Sequence, residues 1–333
     1  MKTIRQSNFE LLRLVCMLII VIYHVFIHIV IPIAGNERVY AALITVFHIG
    51  VLDFVMISGY FGIKHSWNGF KKLYGITVIY SLLGLSLKAL LGGANLTIYE
   101  ILTVIFPFSN GVYWFMTTYF VLYLIAPYFD MVLKKLGNKE MIGLVALLFY
   151  IVVVYGFVFK KGLGDGRSII AFLLMYTIGR FLHNNEEWIM KIPMRRMICF
   201  GAFLVLFLLI AFLPSPLTNY VKGLAFPYNS PGLYVMATLF FTIFMGWDFK
   251  SRAVNTVATS TLAIYLIHGN RYVMEFSIPF LNPLFENNCV LFNILMTFGV
   301  SLAIFILCIM IDLIRRLFLG QLNRLVRVCP SRK

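Results

Sequence analysis

Long apolar runs recur along this chain from end to end, and they constrain its fold more than any other feature. A run of about 17 to 25 mainly apolar residues can cross a bilayer as a helix. In hydrocarbon the backbone must satisfy its own hydrogen bonds, so such runs have little choice but to be helical. Ten candidate spans are readable: 9–31, 41–62, 73–91, 113–133, 140–159, 168–183, 196–214, 232–247, 257–279 and 289–313. The runs 168–183 and 232–247 are short, and 98–108 reads as a re-entrant or interfacial piece. The expected fold is therefore all-α: a polytopic transmembrane bundle of about ten spans.

Composition excludes the ordinary soluble classes. The chain is 61% hydrophobic and 12% charged, far from a globular domain. A net charge of +15 raises the question of nucleic acid. The Lys and Arg residues, however, fall in short clusters between apolar runs, with no basic face and no recognition motif. The expected partner is the lipid bilayer, with no nucleic acid.

Lys and Arg gather in the cytoplasmic loops of membrane proteins. With the N-terminus inside, the inside groups are Lys2 and Arg5; Lys64, Lys71 and Lys72; Lys134, Lys135 and Lys139; Arg180, Lys191, Arg195 and Arg196; Lys250 and Arg252; and the basic C-terminal tail. The outside loops carry only Arg38, Lys160, Lys161, Arg167 and Lys222. Arg13, Lys88 and Arg271 fall within spans. This asymmetry predicts that both termini are cytoplasmic. The first apolar run is too long for a signal-peptide core and reads as a retained anchor. No loop is long enough for a folded module. The organisation expected is one membrane domain over 1–315, then a basic amphipathic tail over 316–333 that lies on the anionic inner leaflet. The five cysteines are scattered, odd in number and without a CxxC, so they read as packing residues.

The first span, NFELLRLVCMLIIVIYHVFIHIV, carries Glu10, Arg13, His24 and His28. Polar groups at membrane depth are costly and mark function by default. Arg13 and His24 fall on one helix face, within about 20° and about 17 Å apart along the axis, and His28 lies one turn further. Each has a plainer reading. Glu10 fits a capping box with Ser7, or a pair with Arg13. Arg13 would reach the interface by snorkelling. Either histidine could be a hydrogen-bonded structural residue. A metal at His24 and His28 is disfavoured, because no carboxylate or cysteine accompanies them at ligand spacing.

Four stretches together resemble a known family. ELLR, followed eleven residues after Arg13 by His24, is similar to the opening helix of the acyltransferase-3 family, integral membrane O-acyltransferases of bacterial surface glycans. GVLDFVMISGYF (Gly50–Phe61), NGVYWFMTTYFVLYLIAPY (Asn110–Tyr128) and TSTLAIYLIH (Thr259–His268) resemble its later segments, in the family's order. Two departures stand out. Leu52 occupies a place that is often acidic, with Asp53 following it, and Lys71 and Lys72 replace a pair that is often arginine.

The resemblance implies transfer of an acyl group, usually acetyl, from cytoplasmic acyl-CoA to a sugar hydroxyl of a capsular, cell-wall or exopolysaccharide glycan. It also implies a multi-pass protein of the bacterial plasma membrane. On that reading His24 is the general base, with a covalent acyl-histidine as a second possibility. Arg13, Lys71 and Lys72 receive the acetyl-CoA phosphates. Tyr60, Trp114, His268 and Arg271 line the acceptor side, and Ser58, Tyr60 and Trp114 are candidate oxyanion donors. No metal is expected. His268 and Arg271 sit one turn apart in the ninth span, with a buried pair to Glu275 as the plainer alternative. Tyr113 and Trp114 could equally be interfacial belt residues. Gly59 reads as a close helix contact. The alternative function is a transporter of a small polar solute on the same fold. A glycan polymerase or flippase is less supported, since no large outer loop is present.

Overall fold

The computed structural model describes residues 6–35, 38–92, 96–109, 111–191, 193–209, 228–286 and 288–328. Among the described residues the fold is helical, with no strand. We label the helices α1 (Ser7–Val25), α2 (Arg38–Phe47), α3 (Ile49–Phe61), α4 (Trp67–Leu91), α5 (Ile98–Ile105), α6 (Trp114–Leu133), α7 (Asn138–Phe149), α8 (Ile169–Asn184), α9 (Pro193–Leu209), α10 (Pro231–Met245), α11 (Thr261–His268), α12 (Arg271–Leu281) and α13 (Val290–Val328).

Among the described residues, six helical stretches are long and apolar enough to cross a membrane: Ser7–Ala34, Ala42–Phe61, Trp67–Leu91, Trp114–Leu133, Asn138–Val158 and Val290–Gln321. Four other expected spans differ. The runs 168–183 and 232–247 form the shorter apolar helices Ile169–Asn184 and Pro231–Met245. The run 196–214 is helical as far as Leu209, and 210–214 lies outside the described residues. The run 257–279 is broken at Gly269–Asn270 into α11 and α12. Asn270 makes the break. Its Oδ1 accepts from the Tyr272 amide at 3.0 Å, capping α12, while its Nδ2 donates to Tyr113 Oη at 2.9 Å. The Tyr113 hydroxyl donates in turn to Leu266 O in α11 at 3.1 Å. Tyr113 is thus a buried brace and not a belt residue. The 98–108 piece is a short helix, α5, closed by a Thr97–Glu100 capping box.

The start of α1 departs from the expected capping box. Gln6 is the N-cap and no side chain caps the helix. The Ser7 hydroxyl accepts from the Ser251 amide at 2.9 Å, and Glu10 turns to Arg13 at 2.7 Å. After His24 the helix passes through a π turn, Phe26–Val30, before ending at Gly35 with φ +82°. One extra residue in a turn re-aims the side chains on either side of it, and such turns cluster at functional sites.

α1 is the axis of the molecule. Its first third (Phe9, Leu12, Cys16) packs with α3, α6, α8 and α10. Its middle (Met17, Ile20, Val21) packs with α4, α11 and α13, and its last third with α2. The 42–61 span is its most enclosed neighbour: 78% of that span's most apolar window is buried, against 22% for Val290–Gln321. The tightest crossing joins α3 and α8. A Cβ at Gly59 would lie 2.1 Å from Tyr176 O, and one at Gly179 would lie 2.2 Å from Met56 O. Neither position has room for a side chain, which is how small residues serve helix packing in lipid.

Candidate active site

A cavity of about 490 Å³ opens between α1, α3, α4, α6 and α11. Arg13, Met17, Ile20 and His24 form its α1 wall, one residue per turn, as an α-helical stripe requires. The ring of Phe9 lies 4.7 Å from that of Tyr60, so the end of α3 sits beside the start of α1. The Arg13 end of the cavity is therefore rimmed by the segment that follows α3. Lys64 and Lys72 line it together with Arg13 and Glu10. Gly62, at φ +73°, turns the chain out of α3, and Ser66 caps α4 by accepting from the Gly69 amide at 3.0 Å. Tyr123 pins this connection: its hydroxyl donates to Ser66 O at 2.9 Å and accepts from Ser66 N at 3.1 Å.

The Arg13 guanidinium is a third exposed and bound to Glu10, so it is held in place while keeping further N–H donors. Beyond Met17 the walls become apolar and aromatic, with Phe54, Trp114, Phe115, Tyr228 and Tyr265. Ser58 and Tyr119 face each other at 3.1 Å in the same cavity. The Ser58 hydroxyl is within bonding distance of Phe54 O, its carbonyl four residues back, at 3.2 Å. With that proton so used, the Tyr119 hydroxyl is the donor to Ser58.

His24 closes the deep end. It lines both this cavity and a second one of about 40 Å³, which it shares with His28, His268 and Ser277. His24 Nδ1 lies 2.9 Å from His268 Nε2, and His268 Nδ1 lies 2.6 Å from Ile264 O. A carbonyl only accepts, so His268 Nδ1 carries the proton. In a neutral pair His268 Nε2 must then accept from His24 Nδ1–H. The lone pair of the dyad is left on His24 Nε2. These tautomers are assigned from the hydrogen-bond network, as hydrogen positions are. The His24 ring lies deep in the protein, yet it is half-buried and not fully enclosed, because the cavity reaches it. A lone pair on an imidazole at the end of a cavity, with its other nitrogen held by a second group, is the arrangement of a general base.

The residues singled out from sequence divide into two groups. Arg13, Lys72, Ser58, Trp114 and His24 line the large cavity, and His268 backs His24. Three do not meet the cavity. The Tyr60 hydroxyl donates to Glu186 at 2.7 Å, and its ring packs on Phe9, Phe61 and Phe241. The Lys71 ammonium lies over the Trp67 ring at 5.4 Å. Arg271 lines a separate cavity of about 60 Å³ beside Glu100 and Tyr272. It is also the first residue of α12, across the break from His268. Tyr60 is turned about 200° from the lining Ser58, and Lys71 about 100° from the lining Lys72. Asp53 is fully buried with neither carboxyl oxygen partnered, outside the cavity lining.

Sequence reasoning missed Lys64, Tyr119, Tyr123, Tyr228 and Tyr265. For Tyr119 and Tyr123 a signal existed. They stand four residues apart, on the face of α6 that continues from Phe115. For Lys64 and Tyr228 no local signal did, because both enter from connections between helices. Among the described residues, no group of three or more His, Cys, Asp and Glu could hold a metal.

Comparisons with known proteins agree with this architecture. The family model described as an acyltransferase domain matches residues 6–313, nearly the whole chain. No curated protein and no solved structure matches. The match takes in every wall of the cavity, from Arg13 to Tyr265, and with the apolar helices it gives the conclusion that this chain belongs to the acyltransferase-3 family of membrane acyltransferases.

Proposed function

We propose that the protein is an O-acyltransferase of the bacterial plasma membrane, with about ten spans and both termini cytoplasmic. It moves acetyl from acetyl-CoA to a sugar hydroxyl of a capsular, cell-surface or exopolysaccharide glycan. The observation that carries this reading is the single cavity with a cationic rim of Arg13, Lys64 and Lys72 at one end and the His24–His268 dyad at the other.

Acyl-CoA is a polyanion with a long, thin arm ending in a thioester. Three cations at one mouth suit the phosphates, and Arg13 adds a fork that takes phosphate oxygens in pairs. Eleven residues of helix separate Arg13 from His24, about 17 Å, a length the pantetheine arm spans. The apolar and aromatic lining beyond Met17 excludes water from the thioester.

At the deep end, the acceptor hydroxyl donates its proton to His24 Nε2 as its oxygen bonds to the thioester carbon. Charge on the carbonyl oxygen is met by a donor of the cavity wall, with Trp114 as the candidate that lines the cavity once Tyr60 is turned away to Glu186. The C–S bond then breaks, and the thiolate recovers the proton from His24. His268 stabilises the imidazolium by accepting from its Nδ1–H and keeps the ring aimed. The basic tail over 316–333 is assigned to the inner leaflet surface.

The test is transfer of labelled acetyl from acetyl-CoA to endogenous glycan in membranes holding equal amounts of wild type, His24→Ala or Arg13→Ala. Wild type is expected to label glycan. His24→Ala should lose about 10²–10⁴-fold, and Arg13→Ala should recover in part at high acetyl-CoA. Full activity in His24→Ala would remove the base assignment. No labelling by wild type would bring forward transport of a small polar solute.

A further inference from the structure

Beyond the deep end of the cavity stands a cation that the acyl-donor path does not use. Arg167 lies in the connection before α8, in a loop built around Gly166. Gly166 has φ +87°, and a Cβ there would fall 2.6 Å from Asn229 N and 2.7 Å from Tyr228 C. The loop is therefore seated directly on the Tyr228–Asn229 backbone. This places the Arg167 guanidinium carbon 5.4 Å from the Trp114 ring and 5.6 Å from the Tyr228 ring. Trp114 and Tyr228 both line the catalytic cavity. The Tyr23 hydroxyl is near enough to interact with Arg167 and Tyr228. His48 packs edge-on against Tyr228 at 4.1 Å and is buried. His24 lines the same cavity as Trp114 and Tyr228, so the rings that hold Arg167 also face the catalytic end.

Among the described residues no carboxylate pairs with Arg167. Several other cations of the bundle are satisfied within it: Arg13 has Glu10, Lys88 has Glu100, Arg180 has Asp130, Arg315 and Arg316 have Asp312, and the buried Arg196 donates to Thr242 O. Arg167 is also exposed. With aromatic rings against its face and one donor engaged by the Tyr23 hydroxyl, the guanidinium keeps further N–H groups on its edge, a set that matches a planar or tetrahedral oxyanion held by two hydrogen bonds. The rings beside it suit the apolar face of a sugar.

Building on the acyl-transfer reading, we propose that Arg167, with Trp114, Tyr228, Tyr23 and His48, forms an acceptor subsite for an acidic saccharide. Its guanidinium binds the carboxylate of a uronic acid or the phosphate of a phosphodiester-linked unit, and so presents a neighbouring hydroxyl to His24. The enzyme is then selective for anionic over neutral glycans.

The experiment uses full-length protein in neutral detergent. Tryptophan fluorescence is titrated with tetragalacturonate, with a glycerol-phosphate trimer and with neutral cellotetraose, and the same probes are offered as acceptors with labelled acetyl-CoA. At least one anionic probe should give a saturable change, and cellotetraose none. Arg167→Gln should weaken that binding by about 10–100-fold, the scale of a charge-assisted bidentate contact. Arg167→Lys, which keeps the charge and loses the fork, should fall between them at an unchanged melting temperature. Which anion binds decides between the carboxylate and phosphate forms. Equal binding of cellotetraose, unchanged binding in Arg167→Gln, or no saturable change with either anion overturns the subsite. Anion binding that depends on Arg167 without acetyl transfer keeps the subsite and removes the acyl-transfer reading. Acetyl transfer equally to neutral and acidic probes does the reverse.

Discussion

α3 has two flanks, and they are built on opposite rules. Against α8 it is closed: Gly59 and Gly179 press onto opposing backbone, and no side chain stands between the helices. Towards α1 and α6 it meets α1 at its ends, at Gly50 on Cys16 and Tyr60 on Phe9, and opens between them: Phe54, Ser58 and Phe61 face Arg13, His24, Trp114 and Tyr119 across a cavity of about 490 Å³. In lipid no hydrophobic force drives helices together, so contact is set by shape. Glycines let two backbones meet. Large aromatic side chains, braced by Tyr123 on Ser66 and Tyr113 on Leu266, hold two helices apart. The closed flank gives the open one a fixed wall.

The largest effect should come from filling the closed flank. Gly59→Ala puts a methyl into the Tyr176 carbonyl, and overpacking of this kind costs about 1–3 kcal/mol or more. Gly75 in α4 has nothing within 4 Å of a built Cβ, and Gly75→Ala should be neutral or raise stability by up to about 1 kcal/mol. Melting of the two variants in detergent checks this, and equal melting temperatures would sink the picture of a closed flank.

On the open flank the dyad can be broken from behind. His268→Leu removes the acceptor for His24 Nδ1–H and should cut acyl transfer about 10–100-fold, the scale for groups that orient an imidazole. His268→Gln returns an acceptor oxygen and should recover part of it. A pH–rate profile displaced in His268→Leu and restored in His268→Gln separates orientation of the base from loss of packing. Identical profiles for both would make His268 a filler.

A smaller effect should distinguish the rim lysines. Replacing Lys64 and Lys72 together by Ala should raise KM for acetyl-CoA about 3–10-fold, most strongly at low salt, because partly exposed charges are screened. Lys71→Ala, whose ammonium sits over Trp67, should leave KM alone. If Lys71→Ala moves KM as much as Lys72→Ala does, the rim is wrongly drawn.

The smallest effect is outside both flanks, at α5. The Lys88 ammonium holds the Glu100 carboxyl down at about 2, helped by the Thr97 amide. A carboxyl with a depressed pKa adds stability above its ordinary range near 4.5, and that share is lost as pH falls through about 2. The melting difference between wild type and Glu100→Gln should therefore stay flat from about pH 5 to 8 and shrink below that. A difference that grows on acidification would contradict the ion pair.

Much of the site was legible because α1 is one continuous helix from Arg13 to His24. A 3.6-residue repeat puts both on one face whatever surrounds them, and burial in an apolar run marks them as costly. His268 was legible as a residue and not as a partner. Nothing local says that a chain reading as one span will break at Gly269–Asn270 and turn its last imidazole onto His24. Tyr60 and Arg271 were misplaced for different reasons. Tyr60 lies two residues beyond Ser58, about 200° around the helix, so only one of them can face the cavity. Arg271 lies past the break, on a different helix. Lys64, Tyr228 and Arg167 enter the site from connections, where no period relates a residue to a face.

By itself, then, the sequence determined that this chain is a helical membrane protein of the acyltransferase-3 kind, with a polar stripe on its first helix. The reason is local. Hydrocarbon leaves an apolar backbone only the helix, and helix geometry makes a stripe out of spacing. Tertiary structure alone decided which helices touch and which stand apart, which nitrogen of His24 is free, and which cations reach the cavity. Those depend on contacts between residues far apart in the chain, such as Gly59 on Tyr176, Asn270 on Tyr113 and His24 on His268, and no local period encodes them.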